Sequence, residues 1–260
     1  MNSRIEALVR KPSPSIVNCE LSFLERRPID FHLLVKQHEY YCHTLSTLGI
    51  QVSFLEALNF APDGVFVEDG AIVLNEIAVI CRPGTPSRLI EVPSIANILL
   101  SKRKVIGTIA SPGTLDGGDV LMIGRRLYVG RSARTNDSGI TQLQNLVLPC
   151  DYQVIAVDIQ DCLHLKSGIT FLGNGFVLAN PKWIDMEKFK EFEVININPE
   201  EHFAANALLI DDKLIYGQEY PKTTKLIENA GFKLIQVPNF EFAKAEGGLT
   251  CRSLIFESHL

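Results

Sequence analysis

The six cysteines of this 260-residue chain (Cys19, Cys42, Cys81, Cys150, Cys162 and Cys251) are scattered, with no CxxC pair among them. That spacing excludes a structural zinc site and the disulfide framework of a small secreted domain, and it fits free thiols in the cytoplasm. No run approaches 18 consecutive apolar residues, so no membrane span is expected. The opening "MNSRIEALVRKPSPS" lacks the apolar core of a secretory signal. There is no basic stripe, and 25 Lys and Arg face 30 Asp and Glu for a net charge of −5, so nucleic acid is not an expected partner. With 46% hydrophobic residues the chain can bury one sizeable core, and residues 1–260 are read as a single catalytic domain.

What is present is a repeat of about 45 residues. Four segments, 64–88, 114–139, 163–183 and 202–225, share one plan: a strand, a tight polar turn, a second strand, then a loop rich in Pro, Gly or basic residues. The turns are "LNE", "GRR", "GNG" and "DDK", of which Asn174-Gly175 is the strongest hairpin signal. Helices are expected at 92–103, 138–147, 185–192 and 222–230, the last stopped by Gly231. A short strand closes each unit: "KVIGTIA", "YQVIAVD", "EVININ" and "FKLIQVP". A fifth unit is split. "LTCRSLIF" supplies its first strand, "RIEALVRKPSPS" its second, "FHLLVKQHEYYCHTLSTLG" its helix and "QVSFLEAL" its closing strand. The fold class is therefore α/β: a five-bladed α/β propeller of pseudo-fivefold strand–strand–helix–strand units, closed by pairing of the N- and C-terminal segments.

The repeat gathers chemistry. Asp69, Asp116, His164, Asn206 and Cys251 stand near the start of the five first strands, at spacings of 47, 48, 42 and 45. Equivalent positions in a ring meet at its axis, so two carboxylates, a histidine, an amide and a thiol would share one pocket. A lone cysteine is more often an inert core residue, but a thiol with a base and acids in reach reads as a nucleophile. Asp119 of "LDGGD" reads as turn chemistry. His38 and Cys42, at i, i+4 spacing on the first helix with His43 beside them, read as a solvated helix face rather than a metal site.

The motifs "FVEDGAIV", "RPGTPSR", "PGTLDGGDVL", "YVGRSARTN", "LHLKSG" and "EGGLTCRSL" resemble those of the dimethylarginine dimethylaminohydrolases, within the wider group of guanidine-modifying enzymes that use a catalytic cysteine. The resemblance covers nearly the whole chain and implies the same five-bladed propeller. It makes Cys251 the nucleophile, His164 the general acid and base, and Asp116 the third catalytic group. It assigns the substrate guanidinium to Asp69 with Glu68 beside it, and the amino acid carboxylate to Arg88 and Arg134. Leu21, Asp63 and Ala245 match further substrate contacts, Ala245 through its backbone. Some relatives carry Glu at the position of Asp116.

The implied reaction is hydrolysis of asymmetric dimethylarginine or monomethylarginine to citrulline and an amine, through a covalent thiouronium on Cys251. No metal or organic cofactor is expected, the partner is a small molecule, and relatives include homodimers. An arginine deiminase or another guanidine hydrolase is the alternative, and a non-catalytic binding homologue a further one. Lys166 bears on that choice. Arginine deiminases typically carry an acid two residues after the histidine, and strand alternation would put Lys166 on the face of His164. A lysine has no acceptor for guanidinium N–H groups, which suits a methylated nitrogen.

Overall fold

The structure is a computed structural model and describes residues 4–258. Its strands form five three-stranded sheets, each built from one unit of the repeat. Strand β1 (Arg4–Arg10) leads through helix α1 (Phe31–Thr47) to β2 (Gln51–Leu55). The second unit holds β3 (Ala71–Val73), β4 (Ile77–Ile80), α2 (Val92–Leu99) and β5 (Val105–Thr108). The third holds β6 (Val120–Ile123), β7 (Arg126–Arg131), α3 (Asp137–Val147) and β8 (Gln153–Asp158). In the fourth, a single turn α4 (Leu165–Gly168) precedes β9 (Ile169–Gly173), followed by β10 (Phe176–Ala179) and β11 (Glu193–Asn196). The fifth runs through β12 (Leu208–Ile210), β13 (Lys213–Gly217), α5 (Pro221–Asn229) and β14 (Leu234–Val237). A short α6 (Phe240–Ala243) then leads to β15 (Ser253–Ser258), which returns to the first unit.

In every sheet the middle strand pairs antiparallel with the inner strand and parallel with the outer one. The middle strands read as continuous apolar runs ("ALV", "IAVI", "LYV", "VLA", "LIY") because neighbouring units bury them from both sides. The ring closes where β1 pairs with β15, in register from Arg4 opposite Ser258 to Val9 opposite Ser253. Five apolar clusters fill the spaces between adjacent units; one joins Ile72 and Val79 to Val129 and Leu143, another joins Val9 and Leu45 to Ile215 and Val237. Among the described residues no helix is long and apolar enough to cross a membrane.

Local chemistry sets the turns and helix ends. Asn174 and Gly175 have φ of 51° and 81°, the left-handed pair of a two-residue hairpin. Asp30 caps α1 by accepting from Leu33 N–H, and Asn136 caps α3 by accepting from Gly139 N–H. Helix α5 starts at Pro221 and is capped from outside, by the Glu201 carboxylate on the N–H groups of Lys222 and Thr223.

Three sequence expectations are corrected. Helix α2 stops at Leu99 rather than 103, and beyond it the buried Arg103 donates to the carbonyls of Leu74 and Glu257. The helix expected at 185–192 is one 3-10 turn, Met186–Phe189. Ile184 is bridged to Ile159 on one side, and Phe189 and Phe192 pack on Tyr128 on the other, leaving room for a single turn. The face of α1 bearing His38 and Cys42 is buried, not solvated. His38 is 3% exposed and lies 6.1 Å from the Phe242 ring, because α1 packs against both α6 and the fifth unit. Only His43 of that group is exposed.

Leu8 lies in the closing sheet, 2% exposed, packed with residues of β3 and β15. Leu8→Ala is expected to cost about 2–5 kcal/mol. Because the ring is continuous, denaturant unfolding followed by fluorescence of Trp183, in the fourth unit, should shift as far as the circular dichroism transition. A Trp183 transition unmoved by the substitution would show that the units unfold separately.

Candidate active site

The five residues brought to the axis come from equivalent places, but not from strands. Asp69 lies in a 3-10 turn, Val67–Gly70, before β3, and Asp116 starts the turn Gly117–Asp119 before β6. His164 starts α4 before β9, Asn206 precedes β12, and Cys251 lies in the turn Thr250–Arg252 before β15. A one-turn helix ahead of four of the five inner strands, and a non-helical turn ahead of β12, swing these side chains over the end of the ring. Two glycines are required by the crowding that results. A Cβ on Gly118 would lie 2.7 Å from His164 Nδ1 and 2.8 Å from Asp69 Oδ1. One on Gly248 would lie 2.5 Å from Asn206 Cγ, which accounts for the Gly-Gly bend before Cys251.

His164 Nε2 lies 3.0 Å from Asp116 Oδ2 and 4.0 Å from Asp69 Oδ1. Asp69 Oδ1 accepts from Gly118 N–H at 2.8 Å, and its Oδ2 accepts from Arg88 Nη1 at 2.5 Å. Arg88, 5% exposed, also donates to Glu91, to the Phe66 carbonyl and to the Asp63 carbonyl. Glu68 is bound by Lys166 Nζ at 2.6 Å and by the Thr250 hydroxyl at 2.8 Å. Lys166 therefore does reach the site. It does so from the turn of α4 rather than by strand alternation, because Asp119 pins the first N–H of that turn.

The charges are strongly shifted. Burial alone would push His164 down, but Asp69, the hydrogen bond to Asp116 and the Asp119 carboxylate outweigh it and hold the imidazole at about 9. Burial would raise Asp69; His164, Arg88 and the Gly118 N–H bring it instead to about 2. Cys251 is pushed up to about 12 by burial and by the carboxylates of Glu68 and Asp69. At neutral pH the site thus holds an imidazolium and a thiol. Asp69, Asp116 and His164 place ligand atoms within 4.8 Å of one another, a set that fits a metal ion by distance. Arg88 already sits on Asp69 and His164 already bonds Asp116, so a cation there would have to displace both.

Two chambers meet at His164 and Cys251. The first is lined by Glu20, Asp63, Asp69, Arg88, Arg134 and Ala245. In it Asp63 accepts from Glu20 N–H, while Arg134 bonds the Thr85 hydroxyl and lies 3.8 Å from Glu20 Oε2. The second is lined by Glu68, Lys166, Asn206 and Glu219 among others. Of the residues expected at the site, Leu21 and Asp116 are on neither wall; Asp116 is fully buried behind His164. Leu21 packs at the edge of a cluster with Phe66, Phe242 and Ala245, on the loop whose Glu20 and Leu24 do line the chambers.

Three residues hold the segments of the site together: Asp119, read from the sequence as a turn residue; Asn206, placed at the axis by the repeat but given no role; and Glu246, which the sequence reading missed. Asp119 is fully buried and accepts from Leu165 N–H and the Ser132 hydroxyl, so it is more than a turn residue: it fixes the backbone after His164. Asn206 donates to the Lys166 carbonyl and the Thr250 hydroxyl and accepts from Thr250 N–H, joining the histidine and cysteine segments. Glu246, at φ 57°, accepts from the N–H groups of Ser22, Phe23 and Leu24 and holds their loop over the site. Most of their partners are backbone groups distant in sequence; the legible signals were the second carboxylate of "LDGGD" and the place of Asn206 in the fivefold spacing.

A ring of five such units with a cysteine, a histidine and carboxylates on its axis is the architecture of the enzymes that modify guanidino groups. The profile of the family "N,N dimethylarginine dimethylhydrolase, eukaryotic" matches residues 26–256. An N(G),N(G)-dimethylarginine dimethylaminohydrolase of Streptomyces coelicolor is 36% identical over 250 residues, 96% of either chain. That of Pseudomonas aeruginosa is 32% identical over 252 residues, 96% of this chain and 98% of its own. The fold superimposes on a crystal form of the Pseudomonas enzyme, a cysteine-to-serine variant complexed with citrulline, with a TM-score of 0.91 over 96% of this chain and 98% of that one, at 31% identity. This chain belongs to the dimethylarginine dimethylaminohydrolase family. The N-terminal domain of ArgZ, a cyanobacterial arginine dihydrolase, shares the fold at a TM-score of 0.86 and 21% identity, over 96% of this chain and 97% of that one.

The raised thiol has a measurable consequence. Alkylation of Cys251 in the ligand-free protein by iodoacetamide, read by peptide mass spectrometry, should quicken about tenfold per pH unit between 7 and 10. Glu68→Gln removes a negative charge near the sulfur and leaves Lys166 unpaired; both changes favour the thiolate, so alkylation at pH 9 should be faster in the variant. A rate that levels off below pH 9 in the unaltered protein would show that the thiol is not held up.

Proposed function

We propose that the chain, acting in the cytoplasm as one catalytic domain, hydrolyses N-omega-methylated arginines to citrulline and dimethylamine or methylamine. The observation that carries this reading is that Cys251 and His164 line both chambers where they meet, with the buried carboxylates of Asp69 and Asp116 against the histidine. The carboxyl end of the amino acid enters the first chamber. Arg134 takes its carboxylate there in place of the distant Glu20, together with Arg88, which also fixes Asp69. Asp63, the loop bearing Leu21 and the Ala245 backbone receive the α-amino end. Asp69 and Asp116 grip the guanidinium and hold its carbon opposite the sulfur.

The free thiol is a poor nucleophile at neutral pH, and the cationic substrate remedies this: its charge, seated beside Cys251, favours the thiolate. The thiolate attacks the guanidinium carbon to give a tetrahedral adduct. His164, protonated at neutral pH, gives its proton to the departing amine, leaving a thiouronium on Cys251. Neutral His164 then takes a proton from water, and the hydroxide attacks the same carbon. Collapse breaks the carbon–sulfur bond, returns the sulfur to Cys251 and releases citrulline. Methylarginines are favoured over arginine by the Glu68–Lys166 pair, since Lys166 leaves no acid there to accept N–H bonds from the far nitrogen.

Cys251→Ser is expected to fold and to lose turnover, and mass spectrometry of the unaltered protein during turnover should find the adduct on Cys251 and no other cysteine. In a mixture of arginine, monomethylarginine and dimethylarginine, methylated amines should dominate the products. Ammonia from arginine as the main amine would turn the assignment to a deiminase.

Arg134→Ala should weaken substrate binding by about 1.5–3 kcal/mol, and agmatine, which lacks the carboxylate, should be a very poor substrate. Agmatine turned over as well as the amino acid would remove the carboxylate clamp. Arg88 is the less informative position, since its removal also strands the buried carboxylates of Asp69 and Glu91.

A further inference from the structure

The second chamber carries polar groups that the reaction above does not use. Glu219 and Asn239 both line it, together with Cys251 and His164. Asn239 Nδ2 donates to Glu219 Oε1 at 3.0 Å and to the Gly247 carbonyl at 3.0 Å, tying the pair to the glycines before the nucleophile. Glu219 is seated against the backbone at Gly217, where a Cβ would lie 2.6 Å from its Oε1. Among the described residues of this chamber, the buried side-chain polar atoms without a partner are Glu219 Oε2 and Asn239 Oδ1, and both are acceptors. Asn239 is only 2% exposed. The other polar walls are engaged: Lys166 by Glu68, Asn206 by Lys166 and Thr250, Glu246 by the loop at Ser22–Leu24. Phe203 and Tyr220 complete the wall with aromatic surface.

A buried acceptor without a donor costs free energy until something supplies one. Two acceptors, one of them a carboxylate, beside two aromatic rings match a small alkylammonium ion. A secondary ammonium presents two N–H donors to the acceptors and two methyl groups, carrying spread positive charge, to the rings. His164 stands at the junction of the chambers and lines both. We propose that the chamber formed by Glu219, Asn239, Phe203 and Tyr220 is a binding site for the protonated methylamines released at Cys251. It receives the leaving group before the product in the first chamber departs. The site's place in the reaction rests on the function proposed above, whereas its affinity for the amine does not depend on turnover.

Saturation-transfer NMR on the full chain with dimethylammonium chloride tests it. Transfer from protein aromatic protons to the ligand methyls is expected in the unaltered protein. Affinity should fall about tenfold or more in Glu219→Gln, as for loss of a charge-assisted hydrogen bond. Tetramethylammonium, which has the charge and methyls but no N–H, should displace dimethylammonium poorly. Phe203→Leu, a milder change, should also weaken the signal and guards against a variant that does not fold. No binding by the unaltered protein, equal binding in Glu219→Gln and Phe203→Leu, or ready displacement by tetramethylammonium would each overturn the proposal. Failure of the functional reading would show separately, as no citrulline from methylarginines while dimethylammonium still binds.

Discussion

The Asp69 carboxylate is the constraint around which the site is built. It is buried, yet held ionised by Arg88, by a backbone N–H and by the imidazolium of His164. An anion so placed is stable only while all three partners keep their positions. Arg88 is therefore tied in turn to Glu91 and to carbonyls of its own unit, and Gly118 has no side chain because none fits between the histidine and the acid. Burial first, and then Glu68 and the same anion, hold Cys251 as a thiol, and Asp69 helps hold His164 as an imidazolium. At neutral pH the thiol and the imidazole of the site are thus both protonated.

The sheets were legible in the sequence because hairpin turns announce themselves locally. Asn174-Gly175, Gly124 and Asp211 take the left-handed backbone such turns require, and the middle strands lie buried between units and read as apolar runs. The fivefold spacing of Asp69, Asp116, His164, Asn206 and Cys251 was legible for the same reason, since each precedes an inner strand. The one-turn helices that carry most of them were not. Three or four residues give no period to detect, and their geometry follows from contacts across the ring, such as Asp119 on Leu165 N–H. The burial of His38 was hidden likewise: α1 looks half polar by itself and is covered only once α6 and the fifth unit pack on it.

Side chains that bond distant backbone, as well as one another, hold the site together. Asn206 and Asp119 each join segments about 40 to 46 residues apart, and Glu246 reaches across more than 220. Such bonds leave no mark in local composition. They also place the contact to the loop at Ser22–Leu24 and the turn that carries Cys251 on one short stretch of chain, so a shift at Glu246 is felt at both.

The pairing of β1 with β15 joins residues up to 254 positions apart, from Arg4 to Ser258. A contact of that span is entropically the hardest in the chain to form, and topologies dominated by such contacts fold slowly. Cys251 lies two residues before β15, so the thiol takes its place only when that longest loop shuts. Partly folded chains then hold the carboxylates and the histidine without the sulfur, and the reactivity of the thiol becomes a late reporter of folding: a probe that distinguishes Cys251 in its native turn from an unfolded cysteine would time the last step of assembly.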